Sequence, residues 1–240
     1  MKKVGLIGGT SWHSTMEYYA GINRAINEWH GDNTNPPLFL ANLNQKEIHD
    51  LQRLGDWDGI AALFVDAAKT LELTGVDGIS LCASTPHKIH GALVDAVDVP
   101  VLHIADAIAM TLKQNDWRKV GLIGTRFTME EDFIKGRLRS AHQVETVVPG
   151  AAVRGEIQDL IYDRLSVGVF EDAARAFVLD VVEALANDGA QAVILGCTEF
   201  PLLLKDTRCE TPLVDSLKSH CEWIVQFILG DAGLTRNVEG

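Results

Sequence analysis

"KVGLIGGTSWHST" (residues 3–15) decides how this chain is read. Its first part is a short unbroken apolar run, the pattern of a strand covered on both faces rather than one. Two glycines follow, then hydroxyl side chains able to open a helix. The same order returns at "KVGLIGTRFTME" (119–130), and Val4 and Val120 lie 116 positions apart. A second pair, "GVDGISLCAST" (75–85) and "GAQAVILGCTE" (189–199), repeats at an offset of 189 − 75 = 114. A third, "VPVLHIAD" and "TPLVDS", follows in the same order. Three ordered correspondences at nearly constant spacing predict a duplicated α/β fold of two similar Rossmann-like lobes, each a parallel sheet flanked by helices.

Further runs extend the alternation. Strands are predicted at 36–43, 78–83, 99–104, 145–150, 191–197 and 211–215. Between them, 57–75 and 170–189 are apolar at helical spacing and closed by glycine. The first lobe is assigned residues 1–103 plus 216–240, and the second 104–215. No proline- or serine-rich linker separates them.

Composition narrows the function. With 240 residues, 47% of them hydrophobic, the chain is long enough for a sizeable core. A net charge of −12 with no compensating Lys/Arg run argues against nucleic acid and anionic membranes as partners. A small anionic ligand stays compatible, because backbone amides and helix starts hold a carboxylate without net positive charge. No apolar run approaches the ~20 residues of a membrane helix. "MKKVGLIGG" meets glycine too early for a secretory signal and reads as a first strand. Four cysteines (Cys82, Cys197, Cys209, Cys221), without CxxC or HExxH, point to free thiols in a reducing cytoplasm and to no metal site.

Open parallel sheets bind ligands beyond the C-terminal ends of their strands. Two such lobes are expected to enclose one cleft lined by matching strand-to-helix turns. The 114-residue offset sets Ala83 opposite Cys197 (83 + 114 = 197) and Ser84 opposite Thr198. Cys197 sits where a strand ends and a helix begins, with Thr198 as the expected N-cap. A thiol there is expected to have a lowered pKa, suiting a base or nucleophile. Cys82 is one step out of phase with position 83 and reads as core. Cys209 and Cys221 read as structural. His87 and His90 share a helix face without an evident third metal ligand. Gly8-Gly9-Thr10-Ser11 offers amides and hydroxyls to an anion, yet lacks the GxGxxG pattern and the P-loop lysine, so it is weak evidence for a nucleotide.

These same residues resemble the aspartate/glutamate racemase family, in its amino-acid racemase branch. "VGLIGGTSWHSTMEYYAGIN" (4–23) is similar to the family's opening glycine loop, "GTRFTMEEDF" (124–133) to its second-lobe opening, and "GCTEFPLLL" (196–204) to its second cysteine motif. "VLHIADA" (101–107) and "LVDSLKSH" (213–220) resemble two further signatures. The resemblance spans essentially the whole chain. It implies a two-lobed fold, usually a homodimer, and catalysis without pyridoxal phosphate or metal.

The resemblance further implies two thiols on opposite faces of the substrate Cα, one removing the proton and the other returning it. Cys197 matches the second thiol, whereas Ala83 falls at the first. Thr10, Ser11, Ser84, Thr85, Thr125 and Thr198 match positions holding substrate carboxylate, with Glu199 also in the binding set and His87 behind it. In the substrate-side segment (40–52), Asn44 and Gln52 are the polar candidates. Ser84 stands in place of the family's asparagine, and Arg164 in place of a glutamate. The leading expectation is a cofactor-independent amino-acid racemase with Cys197 as acid/base. The alternatives are a single-cysteine decarboxylase or cis-trans isomerase of small diacids, and a ligand-binding member with impaired catalysis.

Overall fold

A computed structural model describes residues 1–205 and 207–230. The chain divides into two compact units, Met1–His103 with the chain from His220 onward, and Ile104–Ser219. Residues 231–240, assigned above to the first lobe, lie outside the described residues.

In the first unit the order is β1 (Val4–Gly8), α1 (Trp12–His30), β2 (Leu38–Asn42), α2 (Gln45–Leu54), α3 (Trp57–Leu73), β3 (Gly78–Leu81), a 3₁₀ turn (Thr85–Ile89), α4 (His90–Val94) and β4 (Val101–Leu102). The strands form one parallel sheet in the order β2-β1-β3-β4. β1 and β3 are buried along their whole length, as unbroken apolar runs require of central strands with both faces covered. Ile7, Ile79 and Leu81 pack with Ile60, Phe64, Ala68 and Leu71 of α3. The pleat turns Leu6 and its register partners Ser80 and Leu40 to the other face.

The second unit repeats this plan. It runs α5 (Ile104–Gln114), β5 (Lys119–Ile123), α6 (Arg126–Glu130), α7 (Asp132–His142), β6 (Glu145–Val147), α8 (Ala151–Asp163), α9 (Asp172–Asn187), β7 (Val193–Leu195), α10 (Glu199–Leu203) and β8 (Leu213–Asp215). Its parallel sheet has the order β6-β5-β7-β8, the same as the first with each strand replaced by its repeat. Val120, Leu122 and Ile194 face α5 and α7, while Ile123, Val193 and Leu195 face α8 and α9. α11 (Ser216–Leu229) begins in this unit, and the division passes through it between Ser219 and His220. Two parallel sheets flanked by helices establish the α/β class.

An ion-pair cluster ties α5 to α7. Arg137 donates from Nε and Nη2 to the two carboxylate oxygens of Asp106, each at 2.7 Å, and His142 Nε2 lies 2.8 Å from the same group. Burial alone raises the Asp106 pKa, but the hydrogen bonds and charges of Arg137 and His142 outweigh it and hold the carboxyl below its ordinary value.

Candidate active site

The turns of each unit gather at the C-terminal ends of its strands. In the first unit Gly9 has φ +93°, and a Cβ there would lie 2.1 Å from the Leu43 carbonyl oxygen, so only glycine fits the crossing of the β1 and β2 turns. Ser11 caps α1 by accepting from the Ser14 amide. Thr15 Oγ1 accepts from the Gly9 amide at 3.0 Å and donates to the Ser11 carbonyl at 2.9 Å. Ser14 Oγ donates to the Cys82 carbonyl at 2.8 Å, linking the β1 turn to the β3 turn. This network brings Thr10, Ser11, Ala83, Ser84 and Thr85 to one end of one sheet.

α2 closes the same end. Asn44 Oδ1 caps α2 by accepting from the Lys46 amide at 3.0 Å. Gln52 is half-buried on α2. Gln45 Oε1 accepts from the Trp12 amide at 3.4 Å. His49, which sequence reasoning missed, is half-buried on α2 beside the backbone of Thr10. Burial holds its imidazole below the ordinary histidine range. The polar spacing 45, 49, 52 on α2 was the available signal.

Behind Ala83 lies a buried histidine network. His87 Nδ1 is 3.0 Å from the Ala83 carbonyl and 3.1 Å from that of Ser84, both of which accept from it when this nitrogen carries the ring proton. His87 is 1% exposed, and burial, reinforced by His90, pushes its pKa down to about 3. The rings of His220, His87, His103 and His90 follow one another tilted or edge-on, with centroids 5.5, 4.7 and 4.6 Å apart in turn. His220 Nδ1 pairs with Tyr18 Oη at 2.8 Å, and its Nε2 with Ser80 Oγ at 3.3 Å. The imidazoles of His87 and His220 are uncharged, burial being the main cause, and hold the turn. Cys82 is buried beside them, and its thiol is pushed up first by burial and then by Cys221.

In the second unit Thr125 caps α6 through the Thr128 amide. The Gly196 amide donates to the Ile123 carbonyl at 2.7 Å, and a Cβ at Gly196 would come within 2.9 Å of that oxygen. This close approach delivers Cys197 to the end of β7. Cys197 Sγ donates to Glu199 Oε2 at 2.7 Å, and Thr198 Oγ1 donates to the same oxygen at 3.0 Å. Thr198 therefore does not cap α10 with its side chain, and α10 is only five residues long.

The thiol departs from the lowered pKa expected of a helix start. Cys197 keeps some solvent exposure as a residue, yet crowding around its sulfur is the largest cause of an upward push. The negative charge and hydrogen bond of Glu199 add to it. The resting sulfur carries its proton. Arg164 ends α8 on the exposed surface. Among the described residues, no group of three or more His, Cys, Asp or Glu side chains is placed to hold a metal ion, and no helix is long and apolar enough to cross a membrane.

Residues 7–224 match the family model described as Asp/Glu/Hydantoin racemase. A solved structure of a candidate Asp/Glu racemase from Yersinia pestis is 36% identical, with a TM-score of 0.91 covering 96% of this chain and 100% of that one. The broad specificity amino-acid racemase RacX of Bacillus subtilis is 26% identical over 163 residues, covering 67% of this chain and 69% of that protein. The maleate isomerase of Alcaligenes faecalis is 30% identical over 146 residues, covering 60% of this chain and 53% of that protein.

Proposed function

Because this chain belongs to the Asp/Glu/hydantoin racemase family, we propose that it is an isomerase that exchanges the α-proton of a small acidic amino acid, without pyridoxal phosphate or metal. Cys197 is the acid/base. The observation that carries this reading is the 2.7 Å contact from Cys197 Sγ to Glu199 Oε2.

That contact gives the sulfur both states the chemistry needs. Passing its proton to Glu199 leaves a thiolate that takes the Cα proton, and the electron pair of the broken C–H bond moves into the substrate carboxylate. The thiol so formed then returns its proton to Cα. Placed proton transfer of this kind contributes ~10²–10⁴ in rate. Hydroxyls of Thr10, Ser11, Ser84 and Thr85 in the first unit, with Thr125 and Thr198 in the second, are read as the carboxylate holders. They stabilise charge as it develops.

The methyl of Ala83 carries no exchangeable proton. His87 does not replace it, since its ring is buried and burial keeps its basicity low. The reading therefore gives one protein acid/base on one face, and exchange at Cα faster than inversion. We take the working form to be a homodimer in the cytoplasm, where its four cysteines, none of them in a disulfide, stay reduced.

The test is incubation with L- and D-aspartate and L- and D-glutamate in D₂O, following Cα deuterium and enantiomer ratio separately. Deuterium entering any of the four, and lost in Cys197→Ser, is the expected result. No deuterium in all four sinks the proposal.

A second reading is favoured by the protonated resting thiol together with Ala83. A lone proton donor suits single-face protonation after loss of CO₂ from a substituted malonate. Alternatively, the sulfur adds as a nucleophile during cis-trans isomerisation of a diacid, the activity named in the Alcaligenes relative. Mass spectra showing CO₂ loss, or an adduct on Cys197, select this reading over the first.

A further inference from the structure

α7 and β6 stand on either side of a cavity of about 480 Å³ that the reaction proposed above does not use. Cavities of this volume take small ligands. Asp132, Lys135 and Arg139 line it from α7, Gln143 from the turn that follows, and Glu145 and Thr146 from β6. β6 ends its sheet among the described residues, so one of its edges is open.

The two cations of α7 act on the cavity together. Lys135 and Arg139 are one turn apart and share a face, although like charges at that spacing destabilise a helix. Ile134 and Leu138 take the core face, while Arg137 and His142 turn to Asp106. Lys135 Nζ donates to the Glu130 carbonyl at 3.1 Å. The Arg139 guanidinium makes no hydrogen bond or ion pair among the described residues. The two acids of the cavity do not cancel this pair. Glu145 lies 3.6 Å from Lys119 of β5, which compensates it. Asp132 begins α7, about 10 Å along the helix axis from Arg139. The space between Lys135, Arg139 and Thr146 is therefore positive, in a chain of net charge −12.

Thr146 adds direction to that charge. It pairs in register with Val120, which faces α5 and α7, so the threonine side chain faces α7 as well. Its hydroxyl oxygen is buried without a hydrogen-bond partner in the chain. Buried hydroxyls are nearly always paired, because an unpaired one has lost its bonds to water for nothing. Valine would fill the same shape and suit a strand at least as well. The backbone of Thr146 is open too. Glu145 donates its amide to the Arg118 carbonyl at 2.8 Å, and successive amides of a strand point to opposite edges. The Thr146 amide thus points away from β5, to the open edge.

We propose that this cavity binds a small oxyanion, the phosphate or carboxylate group of a metabolite. Lys135 and Arg139 supply the charge, and the hydroxyl and amide of Thr146 supply directed hydrogen bonds. The site is separate from that of Cys197. Thr146 is level with Val120, three residues before β5 ends, about 10 Å short of the turns that carry Thr125 and Cys197.

Isothermal titration calorimetry of the full chain tests this, with inorganic phosphate and glutarate as probes at fixed ionic strength in chloride. The parent is expected to bind at least one of them with a Kd at or below about 1 mM. A response to phosphate alone assigns a phosphorylated ligand, and to glutarate alone a carboxylate. A response to both marks an oxyanion site that accepts either. Lys135→Gln/Arg139→Gln is expected to weaken binding at least ~10-fold, with circular dichroism checking that the variant is folded. Thr146→Val is expected to weaken it roughly 5-fold, while its urea midpoint without anion stays level or rises. A threonine that served the fold alone would show the reverse. Heat from neither probe overturns the site. Binding that the double variant or Thr146→Val leaves at parental strength overturns it as well, since the anion then sits elsewhere.

Discussion

Cys197 and Glu199 share a hydrogen bond of 2.7 Å across one intervening residue, and the sulfur is its donor. Burial and then the carboxylate raise the thiol pKa, and in the function proposed above the carboxylate also receives the proton. Glu199→Gln removes both effects and leaves a side chain of the same size. Cα exchange is expected to fall ~10²–10⁴-fold, while alkylation of Cys197 by iodoacetamide sets in at lower pH than in the parent. A residue that only braced the turn would not move the alkylation profile. An unchanged profile with unchanged exchange refutes the role given to Glu199.

Ala83 ends the matching turn of the first unit, held by its carbonyl to His87. Ala83→Cys puts a thiol where the repeat sets the counterpart of Cys197. Interconversion of enantiomers is then expected to rise ~10²-fold or more relative to Cα exchange, because a second acid/base permits delivery to the other face. Chiral chromatography beside mass spectrometry reads the ratio directly. A ratio equal to the parent's means that position 83 does not address the reacting carbon.

Acid should unfold the first unit before its carboxylates titrate. The pKa of His87 is pushed to about 3 and that of His220 well below the ordinary value, burial being the main cause for both. His49 is shifted in the same direction. An unfolded histidine binds its proton near pH 6.5. The stability these neutral imidazoles contribute is therefore present above about pH 6.5 and is lost as pH falls from there toward 3. Between pH 7 and 5 the loss is expected to be on the order of a few kcal/mol, at about 1.4 kcal/mol per pH unit for each group. The depressed Asp106 contributes stability present above its unfolded value of 3.8, lost only below that window. Urea midpoints at pH 7 and 5 measure the effect, and His87→Gln should flatten the slope. Equal parent midpoints at the two pH values contradict the assignment.

The strand-to-helix turns were legible in the chain because unbroken apolar runs and glycines are local signals. The two sheets repeat each other in strand order, as the 114-residue offset anticipates. Side-chain geometry was not legible in the same way. A cysteine before a threonine at a strand end reads as a capped helix start with an acidified thiol. Nothing in that string shows that Glu199 turns back onto the sulfur, or that Thr198 follows it. Nor does the string around Asn44 show that its side chain accepts from the Lys46 amide. Tyr18 and His220 are 202 positions apart, so no spacing rule joins them. Local pattern fixes where the backbone turns, whereas long-range packing decides which side chain is buried, paired or neutral.

Gly9 offers a test of why the β1 turn has its form. Its φ is +93°, and an added Cβ would lie 2.1 Å from the Leu43 carbonyl oxygen and 2.6 Å from the Leu43 nitrogen. Both neighbours are backbone, so the turn itself has to move. Gly31 is the control, since its φ of +75° is similarly unfavourable for other residues but nothing lies within 4 Å of its missing Cβ. Gly31→Ala is expected to cost about 1 kcal/mol from conformation alone. Gly9→Ala carries that cost and a steric one, roughly 2–4 kcal/mol in all. It also shifts Thr10 and Ser11, so any exchange activity should fall beyond what the lost stability explains. Equal urea midpoints for the two variants would show that the Leu43 contact yields freely, and that glycine is required at position 9 for its φ alone.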